Sequence, residues 1–180
     1  MVTPGPTTIP ETREAAAWRV LETVPDPEIP VVSVVDLGIA RAVEVDSSGQ
    51  QVTVMITPTY SGCPAMRMIE DDIRTALGAE FARVEVRTVL GPAWTTDWMS
   101  EQGRAALRAY GVAPPETPVA PAVAPAGRRS LPVLGTGRPA ACPHCGATTT
   151  ERVSEFGSTA CKALYRCLSC REPFDYFKCH

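Results

Sequence analysis

Between residues 13 and 24, Ala17, Trp18, Val20, Leu21 and Val24 recur at helical spacing and the pattern stops at Pro25, which predicts a first helix. Asp26-Pro-Glu28-Ile-Pro30 then reads as an extended loop. Alternation takes over from Ile39 to Asp46 and from Val52 to Thr57, where Val52, Val54 and Ile56 share one face. The Asp46-Ser-Ser-Gly49 turn between them predicts a hairpin. After Cys63-Pro64 a helix is expected with Met66, Ile69, Ile73, Ala76 and Leu77 on one face, followed by a strand in which Val84 and Val86 alternate with Glu85 and Arg87. If the strands flanking that helix are neighbours, they run parallel through a right-handed crossover. A last amphipathic helix over about Met99 to Tyr110 closes this part of the chain.

Beyond it the periodicity disappears. Residues 113–139 are rich in Pro, Ala, Val and Gly and predict a linker, and residues 1–10 a flexible N-terminus. The expected organisation is an α+β domain over 11–112, with a small mixed sheet of about three strands, and a Cys-rich, zinc-ribbon-like module over 140–180. That last module has few aliphatic residues, though it holds Phe156, Tyr165, Phe174, Tyr176 and Phe177. A core of this size is marginal without a staple.

Charge adds a constraint. The formal net charge of -3 offers no general attraction to phosphates, which weighs against nucleic acid. Residues 11–112 carry 15 acids against 9 arginines, whereas residues 140–180 carry 4 acids against 5 bases, so the two modules differ in sign. No stretch approaches the roughly 18 apolar residues of a membrane span, and residues 1–10 lack the basic start and apolar run of a secretory signal, so a cytoplasmic protein is expected.

The 7 cysteines of such a chain point to metal or thiol chemistry rather than a disulfide framework. Cys142-Pro-His-Cys145-Gly146 and Cys167-Leu-Ser-Cys170 are two CxxC pairs. Each presents two thiolates from a tight turn, and together they complete the tetrahedron that zinc accepts; Gly146 suits such a turn. Iron or an iron-sulfur cluster on the same four thiolates is the alternative. Cys161 is expected to pack as a small apolar side chain, with Cys161, Cys179 and His180 kept as extra ligand candidates.

Cys63 is the second focus. Pro64 suits the first turn of a helix, so Cys63 is expected at or beside a helix N-cap, where the dipole favours the thiolate. No histidine lies in this part of the chain to act as its base. Asp26, Glu28 and Asp36 either cap turns or join Cys63 in contacting metal; spacing alone favours capping.

Asp26-Pro-Glu-Ile-Pro30, Ser33-Val-Val-Asp-Leu-Gly38 and Thr57-Pro-Thr-Tyr-Ser-Gly-Cys-Pro64 together resemble the small domain family shared by bacterial SufT and eukaryotic cytosolic iron-sulfur assembly factors. The resemblance covers about residues 11–112. It implies an α+β fold and a role in maturing metalloproteins, with Cys63 as the reactive or metal-contacting residue and transient iron or iron-sulfur as its cargo. The tail, with Ser154-Glu-Phe-Gly-Ser-Thr-Ala-Cys161 and Glu172-Pro-Phe-Asp-Tyr-Phe-Lys-Cys-His180, resembles the D components of bacterial phenylacetyl-CoA epoxidase systems. That implies a non-catalytic accessory in aerobic phenylacetate catabolism. Its partners would be the oxygenase, with its di-iron site, and the reductase, with its flavin and [2Fe-2S] cluster. A structural zinc-ribbon subunit or adaptor without a maturation role is the competing expectation.

Overall fold

A computed structural model describes residues 12–115 and 140–178. The expected flexible N-terminus, most of the expected linker, and Cys179 with His180 lie outside them. Helix α1, Arg13–Leu21, starts where the Thr12 hydroxyl accepts the Ala15 N–H, and it buries Ala17 and Leu21. It ends three residues before the point that hydrophobic spacing predicts. Pro25 disfavours the helical conformation at Val24, and the Val24 N–H instead reaches back only to the Leu21 carbonyl.

Strands β1, Ala40–Val45, and β2, Gln51–Ile56, form the expected antiparallel hairpin. One Asp46 carboxylate oxygen accepts the N–H groups of Gln50 and Gln51, and Gly49 supplies the positive φ that the turn needs. Helix α2, Met66–Leu77, buries Ile69, Ile73 and Leu77 and leads into β3, Arg83–Thr88, which pairs with β2 in parallel. The sheet order is β1-β2-β3. Helix α3, Glu101–Tyr110, opens on Ser100, whose hydroxyl accepts the Gly103 N–H.

The second sheet holds β4, Val112–Ala113, β5, Thr150–Ser154, β6, Lys162–Cys167, and β7, Pro173–Phe177, in the order β4-β7-β6-β5. The stretch expected to be linker therefore begins inside a strand: Val112 and Ala113 pair in parallel with Asp175 and Tyr176. Val112, Cys161 and Phe177 also join the core made by α1, α2 and the first sheet, so the ribbon is packed onto the first domain rather than only tethered to it. A smaller core of Ala113, Ala140, Cys142, Cys167 and Phe174 lies within the ribbon, with Tyr165 against Phe174 and Tyr176 at 5.8 and 5.4 Å between ring centroids.

Candidate functional site

The two CxxC turns share one backbone device. In each, the residue after the second cysteine has a positive φ, +75° at Gly146 and +70° at Arg171, and its N–H returns to the carbonyl of the first cysteine, at 2.8 Å to Cys142 and 3.0 Å to Cys167. The turns face each other and bring the sulfurs of Cys142, Cys145, Cys167 and Cys170 within 4.8 Å of one another. Across the site, Cys142 and Cys170 are 3.7 Å apart and Cys145 and Cys167 3.6 Å. A tetrahedral ion with metal–sulfur bonds of about 2.3 Å needs sulfurs about 3.8 Å apart, so the set fits one such ion.

Electrostatics points the same way. N–H groups of Cys170 and Ser169 pull the Cys167 thiol down to about 6. Cys170 receives a favourable N–H from Glu172, yet its burial and the facing sulfurs push it up to about 12. Four thiolates cannot share this space without a cation to offset their repulsion.

Cys63 lies just ahead of α2, whose N-cap is Ala65 and whose first turn carries no side-chain cap. This corrects the expected low-pKa N-cap thiolate. Burial pushes the thiol up, the N–H groups of Ala65 and Met66 pull it down, and the charges of Glu28 and Asp26 push it up again; the balance lies above the ordinary thiol value. A desolvated thiol beside carboxylates stays protonated at neutral pH until a cation arrives.

The three carboxylates separate into two roles. Asp26 is buried and accepts the N–H groups of Glu28 and Ile29 at 2.9 and 2.8 Å, which makes it a turn cap that also faces the thiol loop. Asp36 accepts from the Ser33 N–H and hydroxyl and from the Ser100 hydroxyl at 2.6 Å, so it locks a turn to the start of α3. The expectation that Asp36 contacts metal beside Cys63 is corrected accordingly: its oxygens are committed to that lock.

Glu28 is the carboxylate that reaches across. The Cys161 thiol donates to Glu28 Oε2 at 3.5 Å and lies 3.0 Å from the Thr159 hydroxyl. Cys161 is as buried as expected, but its burial is against the first domain. Periodicity could not show this, nor that Lys162 from the ribbon approaches closely enough for its charge to act on Asp26. Tyr60, in the Cys63 loop, feels the charges of Cys63, Glu28 and Cys161 together. An open cleft of about 310 Å³ adjoins this loop, lined by Thr57, Tyr60, Ser61, Leu90, Ala93 and Trp94 among others.

This arrangement, an α+β domain presenting a loop thiol and a ribbon built on four converging cysteines, matches two known families. Residues 14–90 match the family described as iron-sulfur cluster assembly protein, and residues 128–178 match the PaaD zinc beta ribbon domain. The chain is 48% identical over 163 residues to the Escherichia coli K12 protein assigned as the D component of 1,2-phenylacetyl-CoA epoxidase, covering 90% of each. It is 40% identical over 84 residues to the Fe-S protein maturation auxiliary factor SufT of Staphylococcus aureus, covering 46% of this chain and 93% of that one. A crystal structure of a domain of unknown function, DUF59, from Bacillus anthracis is similar at a TM-score of 0.50 and 32% identity, covering 53% of this chain and 91% of that one. The chain belongs to the PaaD family, that of the D components of phenylacetyl-CoA epoxidase. Among the described residues no helix is long and apolar enough to cross a membrane.

Proposed function

We propose that the protein is a non-catalytic accessory of the phenylacetyl-CoA epoxidase system that assists assembly of an iron-sulfur or di-iron centre in the oxygenase or reductase components. The observation that carries this is the Cys63 thiol, half-buried on a loop beside Glu28 and Asp26 in a domain matching the iron-sulfur assembly family. A soft sulfur with hard carboxylate oxygens near enough for their charges to act on it suits a borderline cation such as ferrous iron held briefly as cargo. A catalytic thiol would need a base. The chain has only 2 histidines, and His144 lies in the first CxxC turn. A di-iron oxygenase site needs paired Glu and Glu-x-x-His ligands on a helical bundle, which this α+β fold does not provide. A cytoplasmic location goes with this role.

The four ribbon cysteines are proposed to hold one structural zinc ion. Their 3.6 and 3.7 Å spacings support a single ion over a four-iron cluster, whose cysteine sulfurs stand farther apart. Zinc here closes the small ribbon core, and the ribbon in turn covers part of the assembly-type domain. The test is the iron and sulfide content of the oxygenase and reductase components expressed with and without this protein. Lower content in its absence supports maturation; equal content with a stable stoichiometric complex makes it a structural subunit.

A further inference from the structure

Strands β2 and β3 run parallel with α2 as their crossover, and they end together, β2 giving way to residues 57–61 and β3 to residues 90–94. In open sheets the crevice beyond the carboxyl ends of parallel strands is where ligands collect. Here that crevice is the cleft of about 310 Å³, lined from both stretches. Among the described residues none that lines it is charged, and Tyr60, Leu90, Ala93 and Trp94 make its walls apolar. The Cys63 N–H bonds the Tyr60 carbonyl at 3.2 Å, so the thiol and one wall of the cleft belong to the same turn.

Two features of the cleft have no use within the fold. Thr57 is 2% exposed and its N–H is bonded to the Ile39 carbonyl at 2.8 Å, yet its hydroxyl has no hydrogen-bond partner among the described residues. Valine would fill the same space without that orphan oxygen. A turn about χ1 exchanges the methyl and hydroxyl positions, so an amide entering the cleft can draw the oxygen into a hydrogen bond. Leu90 is 63% exposed at the other wall. It follows the outer strand of the sheet: the N–H groups of Arg83 and Val89 bond to β2, which leaves the N–H and C=O groups of Val84, Val86 and Thr88 on the far edge.

We propose that this cleft receives one uncharged apolar side chain of a client polypeptide, carried on an extended segment that adds to the free edge of β3. This rests on the reading of the protein as an accessory acting on partner components and names how a partner is held. The uncharged lining selects an apolar side chain, and the Thr57 hydroxyl meets one of the amides that flank it. An open cleft cannot enclose most of a small molecule as ligand pockets do, whereas a side chain takes the rest of its binding from its own backbone on the strand edge. The client's chain is thereby set against the turn that carries Cys63.

The test uses the full-length, zinc-loaded protein with N-acetyl-leucine amide as the probe, a neutral side chain between two amides. Saturable NMR shifts are expected at the Thr57, Leu90 and Ala93 amides and the Trp94 indole N–H, with a Kd of about 1–10 mM, and N-acetyl-aspartate amide should bind at least about tenfold more weakly. Thr57→Val should weaken the leucine probe about fivefold while leaving the denaturation midpoint unchanged or raised, an outcome that a structural hydroxyl would not give. Leu90→Asp, at an exposed position, should weaken both the probe and the capture of the purified oxygenase or reductase component by at least about tenfold, and it decides should Thr57→Val not fold. Absence of saturable shifts at the cleft, an equal response to the aspartate probe, or undiminished capture by Leu90→Asp would overturn the proposal. So would binding of phenylacetamide without binding of the leucine probe, which would make the occupant a small aryl molecule. Iron content of the components, measured in parallel, separates the two readings: capture lost in Leu90→Asp, with client iron the same whether or not the protein is present, supports the docking cleft while removing the maturation role.

Discussion

Trp94 and Phe177 meet with ring centroids 6.0 Å apart and planes tilted by 57°, although one belongs to the α+β domain and the other to the last strand of the ribbon. Trp94 is held from the other side by its indole N–H, which donates to the Leu37 carbonyl at 2.9 Å. The contact makes Phe177, a residue of the ribbon's last strand, part of the first domain's core. Phe177→Ala is expected to destabilise the protein by about 3–5 kcal/mol, as for other buried aromatics, and to shift Trp fluorescence to the red. Chemical denaturation with tryptophan emission checks both; a loss below about 1 kcal/mol would show that the ribbon does not share the first core.

Elemental analysis should find zinc in the wild type, with Ala at Cys142, Cys145, Cys167 or Cys170 abolishing it. Structural zinc contributes roughly 10–16 kcal/mol of apparent binding free energy in finger-like peptides, more than the small ribbon core supplies. The variants should lose the ribbon while α1, α2 and the first sheet retain far-UV helix and strand signals. Iron with stoichiometric sulfide in place of zinc would overturn the assignment.

Arg171 occupies a left-handed position that Gly146 fills in the matching turn. The left-handed conformation costs a non-glycine residue about 1–2 kcal/mol, part of which glycine returns through greater unfolded-state freedom. Arg171→Gly should therefore raise stability by up to about 1 kcal/mol with zinc content unchanged, measured as a shift in the denaturation midpoint.

Burial works to raise the Asp36 carboxyl, but the Ser100 and Ser33 hydroxyls and the Ser33 N–H outweigh it, and the folded value lies below the ordinary 3.8. A depressed folded value means the charge stabilises the fold above the unfolded value and that this is lost as pH falls through the folded one. Asp36→Ala should cost about 2 kcal/mol at neutral pH, through its hydrogen bonds, and progressively less below about pH 4. Denaturation of both proteins across pH 2–7 (about the range carboxylates titrate) checks the convergence.

With its thiol raised above the ordinary value by burial, Cys63 should alkylate more slowly near neutral pH than a free cysteine, and its rate should go on climbing with pH after that of a free cysteine has levelled off. Rates are read by mass spectrometry of the labelled peptide. Cys63→Ser, which keeps the size and hydrogen bonding but not the soft ligand, should keep the fold and lose client maturation. A fully active serine variant would make this cysteine structural.

What could be read in advance follows the range of the interactions. The stripe of Ile69, Ile73 and Leu77, the hairpin turn at Asp46 and the paired CxxC turns are local patterns, and they appear in the structure where the spacing put them. Long-range meetings were not legible. Asp36 with Ser100, and Glu28 with Cys161, join residues 64 and 133 positions apart, and nothing in either neighbourhood announces its partner. Strand β4, two residues long, is too short to show an alternation, so Val112 reads as the end of the domain and Ala113 as the start of a linker. The raised Cys63 thiol is hidden from sequence for a different reason: helix-end N–H groups can be placed from sequence, whereas the desolvation that outweighs them depends on packing.

The burial of Cys161 carries one more consequence. At 5% exposure, its sulfur can meet a small alkylating reagent only when the ribbon lifts from the domain. The rate of that modification then counts separations of the two halves, and Cys161 serves as an intrinsic clock for their opening without any attached label.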